Sequence, residues 1–577
     1  MAEEEIEKDN KRKKGRNGIL ILTASVFIIT VLCSVILVKK YAPSKETMPL
    51  NDYFGVKGNG CAVILNGKLM KPEKGSYALI SSGRVYLSLD FIKSNLDDGY
   101  VYDSDEKILR YTTDKQIISV AAGDDHYYTD KEYEKADAEI IAEADGKAYI
   151  DLDWLKKYTD FKSYVKKDPS RVIISAAGWK YKTATVKSDA NMRRHGGVKS
   201  PILGTAKKGS SVIILENYGK WKFVQSEDGI QGCLLSKTLA PSKTKTVKSS
   251  LPKRKYSHTK FKGKVCLIWH QLTNASANSS IDKVLSSKGP VNVISPTWYS
   301  LSDNKGNISD ISDTAYVNKC HSAGVQVWGL VSNFGNNDVD STLVLNSASK
   351  RDALIGNILA AAIKSDLDGI NIDFESLSKN AQDGYIEFIR ELALKCRKND
   401  IILSVDNYKP TGYTQFYNRK VQADYADYVV LMAYDEHYSG SKKAGSNSSI
   451  SFVKTGIRDT LKEVPEDELI LALPFYTRVF TVNSSNAVVS TKALGMKAAS
   501  DLVSQWGSEK TWDEKKGQYF ASVENSDGTK SEVWLEDARS LGLKLDEMKN
   551  KKLAGAAFWK SGFETADIWD TIAPYIN

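Results

Sequence analysis

Residues 368–375, Asp-Gly-Ile-Asn-Ile-Asp-Phe-Glu, leave this chain few ways to fold. Alternation at period two predicts a strand, with Ile370, Ile372 and Phe374 on one face and Asn371, Asp373 and Glu375 on the other. Apolar helical sequence flanks it, so both faces should be buried, and buried carboxylates are costly unless paired or used. Two carboxylates two residues apart also repel each other's second charge. One of them should therefore hold a proton near neutral pH, ready for a leaving group. The alternative is a solvated edge strand with acidic decoration; the apolar opposite face argues against it.

Short apolar strands recur through the C-terminal half, at 265–269, 291–296, 325–330, 401–405, 428–435, 469–474 and 553–559. Helical stretches separate most of them, for example 351–365 and 382–398. Eight βα units in about 310 residues predict a TIM barrel, with its chemistry at the C-terminal ends of the strands. Glu375, Tyr434, Asp435 and Trp559 all fall at such ends. A hairpin pair at 518–520 and 532–535 interrupts the rhythm before the eighth strand. Trp534, on that hairpin, either stacks on a ligand or anchors the hairpin.

The 368–375 run resembles the strand-four signature of glycoside hydrolase family 18, DGxDxDxE, with Asp368, Gly369, Asp373 and Glu375 in place. Asn371 stands where that family usually has a second Asp, and Phe374 where Trp is common. Peptidoglycan-acting members of the spore-lysin type often carry Asn and Phe there. Met432-Ala433-Tyr434-Asp435 resembles the family's strand-six M-x-Y-D motif, and Trp559 its strand-eight tryptophan. The resemblance implies hydrolysis assisted by the substrate's own 2-acetamido group. Glu375 would protonate the glycosidic oxygen, Asp373 would orient the acetamido N–H, and Tyr434 would hold the acetamido oxygen. Trp559 would floor the sugar, and Asp435 would position its hydroxyls. Asp368, Asn371 and His437 join the candidate substrate-binding residues. His437 is placed there because it closely follows Tyr434 and Asp435; for it, as for His270 and Gln271, a structural role is the alternative. No metal or cofactor is expected.

Residues 18–38 form an uninterrupted uncharged, mostly apolar run. At about 1.5 Å per residue it spans roughly 30 Å, one hydrocarbon core. Lys11, Arg12, Lys13, Lys14 and Arg16 precede it, which predicts a cytoplasmic tail at 1–17, a single span at 18–38 and the remainder outside the cell. No small-residue cleavage site follows, so an uncleaved anchor in a bacterial cell membrane is expected. Six scattered cysteines include no C-x-x-C pair and read as isolated thiols.

Residues 60–176 hold two similar strand–short helix–strand units, resembling the stalk-like module at the N-terminus of copper amine oxidases. His126 alone makes no copper site. Residues 180–241, with Gly-rich turns and Trp221, resemble bacterial Src-homology-3-like modules that bind wall peptides; Trp221 is either a groove residue or core. A basic linker is expected at 242–260, and the catalytic barrel at 261–577. The stretch from Ser236 to Lys264 is free of acids, which reads as a solvated tether or a contact with anionic wall polymer.

The expected protein is thus multidomain: a transmembrane helix, α+β stalk modules, a small all-β barrel and a C-terminal (β/α)8 TIM barrel with a small insertion. The expected activity is cleavage of N-acetylglucosamine-containing wall glycan, peptidoglycan first, without nucleic-acid partners. A chitinase-type hydrolase and a non-hydrolytic, wall-tethering sugar-binding barrel are the alternatives. The resemblance implies an Asp–Asp pair that shuffles a proton with Asp373, a feature that Asn371 weakens, so activity should persist with an altered pH profile. Asn371→Asp is therefore expected to move the pH–rate curve; an unmoved curve contradicts that role.

Overall fold

A computed structural model describes residues 1–72 and 75–576. Glu73 and Lys74, inside the expected stalk, and Asn577, the end of the expected barrel, lie outside the described residues. The chain divides into two compact units, Met1–Asp98 with Ala136–Pro252, and Gly99–Lys135 with Lys253–Asn577.

The second unit contains a closed barrel of eight parallel strands: β1 Val265–His270, β2 Val293–Pro296, β3 Gln326–Ser332, β4 Gly369–Asp373, β5 Ile402–Tyr408, β6 Tyr428–Met432, β7 Leu469–Pro474 and β8 Gly555–Trp559. Each strand pairs with the next, and β8 closes on β1 with Val265 opposite Gly555. Alternation within the strands sorts their side chains into two layers. Ile370, Ile372 and Phe374 face outward into the large core shared with the helices. Phe374 stacks on Phe388 at 5.4 Å between ring centroids. Val265, Leu267, Trp328, Val430 and Ile470 fill the interior below the mouth. The glycine of the Asp-Gly pair has a packing reason. A Cβ on Gly369 would meet the Trp328 ring at 2.6 Å and the Ile402 carbonyl oxygen at 3.1 Å.

Two helices back β4: α1 Ala348–Lys364 precedes it and α2 Gln382–Arg397 follows it. Residues 99–135 fold as a five-stranded antiparallel meander that packs on these helices. Asp103 accepts from the Ala348 backbone N–H at 2.9 Å, and Glu106 accepts from the Ser349 N–H at 3.0 Å. Both carboxylates thus sit at the positive end of α1. Thr112 donates to Glu387 on α2 at 2.6 Å, and Arg110 pairs with Asp352 at 2.5 Å. Stalk-like sequence was expected across 60–176; these contacts instead hold 99–135 within the barrel's unit.

An insertion follows β7 directly, beginning earlier than the hairpin signal suggested. Tyr476–Val482, Val488–Gly495, Thr511–Asp513, Gln518–Glu524 and Lys530–Leu535 form a five-stranded sheet with helix Met496–Trp506 against it. Trp534 packs on Phe520 within this sheet, 4.9 Å between centroids.

In the first unit, helix Ala2–Tyr41 contains the one stretch among the described residues that is long and apolar enough to cross a membrane. Two four-stranded sheets follow, and they interlace the two sequence units rather than stacking them. Ala62–Leu65 pairs in parallel with Arg171–Ala176, and Arg84–Ser88 pairs with Lys147–Asp151. The short helices start at matching caps, Ser88 accepting from Phe91 N–H and Asp151 from Trp154 N–H. A seven-stranded sheet spans Lys180–Thr185 to Lys243–Thr246.

The basic stretch 242–260 is mostly exposed, but it is tied to its neighbours at several points. Lys243–Thr246 forms an edge strand on Lys180–Thr185, its alternating Thr residues suited to a pleated edge. Within the barrel's unit, Lys255 N–H is held by Asp114 at 3.0 Å and Thr259 N–H by Asp427 at 2.6 Å. Carboxylates that accept these backbone donors fix the chain where charge alone predicted a loose tether.

The support behind β4 includes the ion pair Arg351–Glu391, 3.2 Å apart and almost without solvent exposure. Removing one partner leaves an uncompensated buried charge. Arg351→Met is therefore expected to destabilise the barrel by about 3–5 kcal/mol. Thermal unfolding of the full-length chain measures this; a melting temperature within error of wild type contradicts the pair's importance.

Candidate active site

The motif strand delivers its polar face into the barrel mouth because β4 lies between β3 and β5 in tight parallel register. Ser332 stands opposite Asp373, and Asn371 opposite Ser404. Beyond Asp373 the chain runs through Phe374 to Glu375, whose backbone is clamped by one side chain. Asn333 accepts from the Glu375 N–H and donates to its carbonyl, both at 2.9 Å. Ser376 then takes a left-handed conformation, φ 53°, and turns the chain away. Glu375 is thereby left at the rim.

A cavity of about 200 Å³ opens at this end of the barrel, lined by Trp269, Asp373, Glu375, Asp406, Tyr408, Met432, Tyr434, Asp435, Tyr476 and Trp559. Five of the eight sequence candidates thus converge: Glu375, Asp373, Tyr434, Asp435 and Trp559. Trp559 ends β8 and packs at 5.8 Å, tilted 56°, against Trp269 from β1. Tyr434 packs edge-on against Tyr476, 6.3 Å between centroids. Asp435 takes a left-handed backbone, φ 55°, and accepts from the Tyr476 hydroxyl at 2.7 Å. Arg478 stands 3.7 Å from the same oxygen.

Asn371 lies beneath the cavity and is fully buried. Its Oδ1 accepts from Trp269 Nε1 at 2.9 Å and Ser295 Oγ at 3.2 Å. Its Nδ2 donates to Ser404 Oγ at 3.1 Å and Asp406 Oδ1 at 2.8 Å. It therefore organises the floor and does not face the opening.

Asp368 does not join the cavity. Its carboxylate accepts from the Val327 N–H at 2.8 Å and contacts His321 at 2.9 Å, at the opposite end of the strand. Asp368 stands just ahead of β4, five positions before Asp373, and so at the end of the strand away from the mouth. His437 is not among the residues lining the cavity, and its Nδ1 lies 3.0 Å from the Ser446 carbonyl. His270 is buried between Tyr316 and Ser280. Gln271 is held by Lys560. Among the described residues no group of three or more His, Cys, Asp or Glu is placed to hold a metal ion.

Sequence reading missed Trp269, Asp406, Tyr408, Met432 and Tyr476 as lining residues. Asp406 and Tyr408 lie on β5, which was read only to Val405; carrying the alternation three residues further would have aimed Ser404, Asp406 and Tyr408 inward. Tyr476 opens the insertion, and its role has no signal in local sequence.

The carboxyl groups share one electrostatic consequence. Burial raises Asp373 well above the usual carboxylate range, and the charges of Asp406 and Glu375 push it further. Burial also raises Glu375; a hydrogen bond from the Tyr408 hydroxyl opposes that rise, and Asp435 adds to it. The site thus presents a proton-retaining acid beside a second acid, over an indole floor, with a phenol across from them. Such groups can protonate a leaving oxygen and offset positive charge that develops next to it.

The acids stand at the C-terminal mouth of a TIM barrel, and comparison with known proteins supports a glycosidase. Residues 293–564 match the family described as "Glycosyl hydrolases family 18", from the second barrel strand to just beyond the eighth. The chain is 22% identical over 294 residues to "Uncharacterized glycosylase YvbX" of Bacillus subtilis (strain 168), covering 49% of this chain and 84% of that protein. It is 24% identical over 241 residues to the "Cortical fragment-lytic enzyme" of the same organism, covering 41% of this chain and 56% of that one. The chain thus spans little more than half the length of that relative. The Bacillus cereus spore cortex-lytic enzyme SleL shares the fold, with a TM-score of 0.50 at 19% identity over 65% of this chain and 90% of that one.

The acid's protonation sets a testable pH dependence. A proton donor at Glu375 would need to be protonated, so kcat/KM is then expected to fall as pH rises through its raised pKa. The Tyr408 hydrogen bond favours the charged carboxylate and lowers that pKa. Tyr408→Phe should therefore move the basic limb to higher pH, read from hydrolysis of a chromogenic glycoside. A limb that stays put or moves down contradicts the assignment.

Proposed function

We propose that this chain is a membrane-anchored, extracytoplasmic glycosidase that cuts N-acetylglucosamine-containing wall glycan, with peptidoglycan as its substrate, by substrate-assisted retaining hydrolysis. The observation that carries this reading is the common origin of its two central acids. Asp373 and Glu375 leave the same strand on the same face and enter the same small cavity. A double displacement by two enzyme carboxylates needs them on opposite sides of the sugar. Neighbours on one strand approach from one side, which favours a nucleophile carried by the substrate itself.

In this reading Glu375 donates its proton to the glycosidic oxygen as the bond to the anomeric carbon breaks. The carbonyl oxygen of the 2-acetamido group attacks that carbon from the other face and forms an oxazolinium ion. Asp373 accepts the acetamido N–H and offsets the positive charge, while the Tyr434 hydroxyl holds the acetamido oxygen in line. Trp559 supports the apolar face of the ring, and Asp435, held by Tyr476, positions a neighbouring hydroxyl. The Glu375 carboxylate then takes a proton from water, which opens the oxazolinium ion and restores the original anomeric configuration.

Peptidoglycan is favoured over chitin for two reasons. Helix Ala2–Tyr41 has a mean hydropathy of 2.8 in its apolar window and basic residues on its N-terminal side, which supports an anchor facing a wall outside the cell. The similarity to a cortical fragment-lytic enzyme points the same way. The bond cut is the one after N-acetylglucosamine, because the lactyl group of muramic acid would crowd the small cavity beside the acetamido site. The interlaced sheets and the seven-stranded sheet of the first unit then serve as wall-contact and spacer elements.

Digestion of purified peptidoglycan by the full-length, detergent-solubilised chain, followed by reduction and mass spectrometry, tests the proposal. New reducing-end N-acetylglucosamine is expected, and Glu375→Gln should lower its release by about 10³-fold. New reducing-end muramic acid, or undiminished release by Glu375→Gln, contradicts it. Cleavage of chitin oligomers but not wall overturns the substrate and keeps the mechanism.

A further inference from the structure

One acid in the cavity has no part in the reaction above. Asp406 is only 3% exposed, yet it lines the cavity together with Asp373 and Glu375. Asn371 stands opposite Ser404 and Ile372 opposite Val405 in the parallel β4–β5 ladder. One further step of that register sets Asp373 beside Asp406. The hydrogen bonds of Asn371 fix what lies between them. Trp269 Nε1 is a donor only, so the Asn371 atom facing it is the oxygen, and the amide nitrogen necessarily faces Asp406. All the polar capacity of Asn371 is then used, and it can do nothing toward Asp406 except donate. Asp373 Oδ1, by contrast, is buried and has no hydrogen-bond partner among the described residues.

We propose that Asp406 is the proton-sharing partner of Asp373, brought from the neighbouring strand into the place that asparagine leaves open at position 371. Its catalytic meaning rests on the glycosidase reading; the proton sharing itself does not. Two carboxyl groups side by side in a dry cavity cannot both be charged, so they hold one proton between them. The groups that face the pair offer no counter-charge. Glu375 comes from just beyond β4, Tyr408 from β5, Tyr434 from just beyond β6 and Tyr385 from α2. Arg419 acts on Tyr385 and Tyr417.

Burial raises Asp373 and Asp406 alike, but the Asn371 N–H favours the charged form of Asp406, whereas Asp373 Oδ1 has no such donor among the described residues. In the empty cavity the shared proton therefore sits on Asp373. An arriving acetamido N–H needs an acceptor there. The proton passes from Asp373 to Asp406, so an acid and a carboxylate exchange roles and the net charge of the cavity is unchanged. Asp406 is a positioning residue in this account, because it touches the reaction only through Asp373.

The test compares wild type, Asp406→Asn and the double variant Asn371→Asp/Asp406→Asn as full-length, detergent-solubilised protein. The first readout is an infrared titration of the protonated-carboxyl band without substrate. Asp406→Asn removes the neighbouring charge, so the highest-pH loss of a protonated carboxyl should move to lower pH. The double variant, which returns a carboxyl to Asp373's side, should bring that step back up. The second readout is kcat/KM against pH on a fluorogenic N-acetylglucosamine oligosaccharide. Asp406→Asn should lose about 100-fold, at the low end for a proton-transfer group, and the double variant should recover most of it.

A high-pH step unmoved in Asp406→Asn, or a double variant no better than the single one, overturns the proposal. Should Asp406→Asn fail to fold, the double variant decides alone, since the proposal requires it to keep both the high-pH step and activity. Wild type inactive on every such glycan would sink the glycosidase reading, while the infrared titration would still decide the proton sharing.

Discussion

A carboxyl group lifted out of water on the inner wall of a closed barrel must be neutralised, paired or given work. That constraint governs the mouth of this barrel. The strand β4 carries its acids inward because its other face is committed to the helices. Phe374 stacks on Phe388, and Ile370 and Ile372 are buried in the same outer core. Shifting the strand by one residue would put the acids into that core and the apolar side chains into the cavity. The hydrophobic packing outside thus determines the protonation chemistry inside.

The same logic extends to the support around the site. Gly369 allows β4 to start against the Trp328 ring, and Asn333 pins the backbone of Glu375 at both its N–H and its carbonyl. Asn371 joins β1, β2 and β5 through Trp269, Ser295, Ser404 and Asp406. Behind β4, α1 and α2 are tied by Arg351 and Glu391, and the 99–135 meander adds acids at the N-terminus of α1. Each of these contacts restricts the position of Asp373 or Glu375, which is what a proton donor needs in order to act on one oxygen only.

Much of this was legible from residues whose neighbours are local. The period-two alternation of 370–375 gave the strand and both its faces, and eight apolar strands gave the barrel. Glu375, Asp373, Tyr434, Asp435 and Trp559 could be named because they match the motifs of the family the chain resembles, and four of them fall at or just beyond expected strand ends. Asp406 and Tyr408 escaped because the alternation of β5 was followed only to Val405, and Tyr476 because its place at the mouth depends on contacts between strands distant in sequence. Asp368 and His437 misled for the converse reason. Asp368 belongs to the resembled signature but precedes β4, at the end away from the mouth, and His437, placed by its closeness to Tyr434 and Asp435, has its Nδ1 beside the Ser446 carbonyl. The stretch 99–135 reads like its stalk-like neighbours, and only its carboxylates' partners on α1 reveal where it packs. Charge density likewise suggested a loose tether at 242–260, where Asp114 and Asp427 accept backbone N–H groups.

The central claim is that the nucleophile belongs to the substrate and that Asp373 and Glu375 are arranged around it. A thiazoline analogue of N-acetylglucosamine mimics the bicyclic oxazolinium ion and carries no leaving group, so its inhibition constant against the full-length chain addresses this claim most directly. Competitive inhibition at least about 100-fold tighter than binding of N-acetylglucosamine itself, lost in Asp373→Asn, is the predicted result. Binding no tighter than the parent sugar, together with covalent labelling of an enzyme carboxylate by a 2-fluoro glycoside, would contradict it.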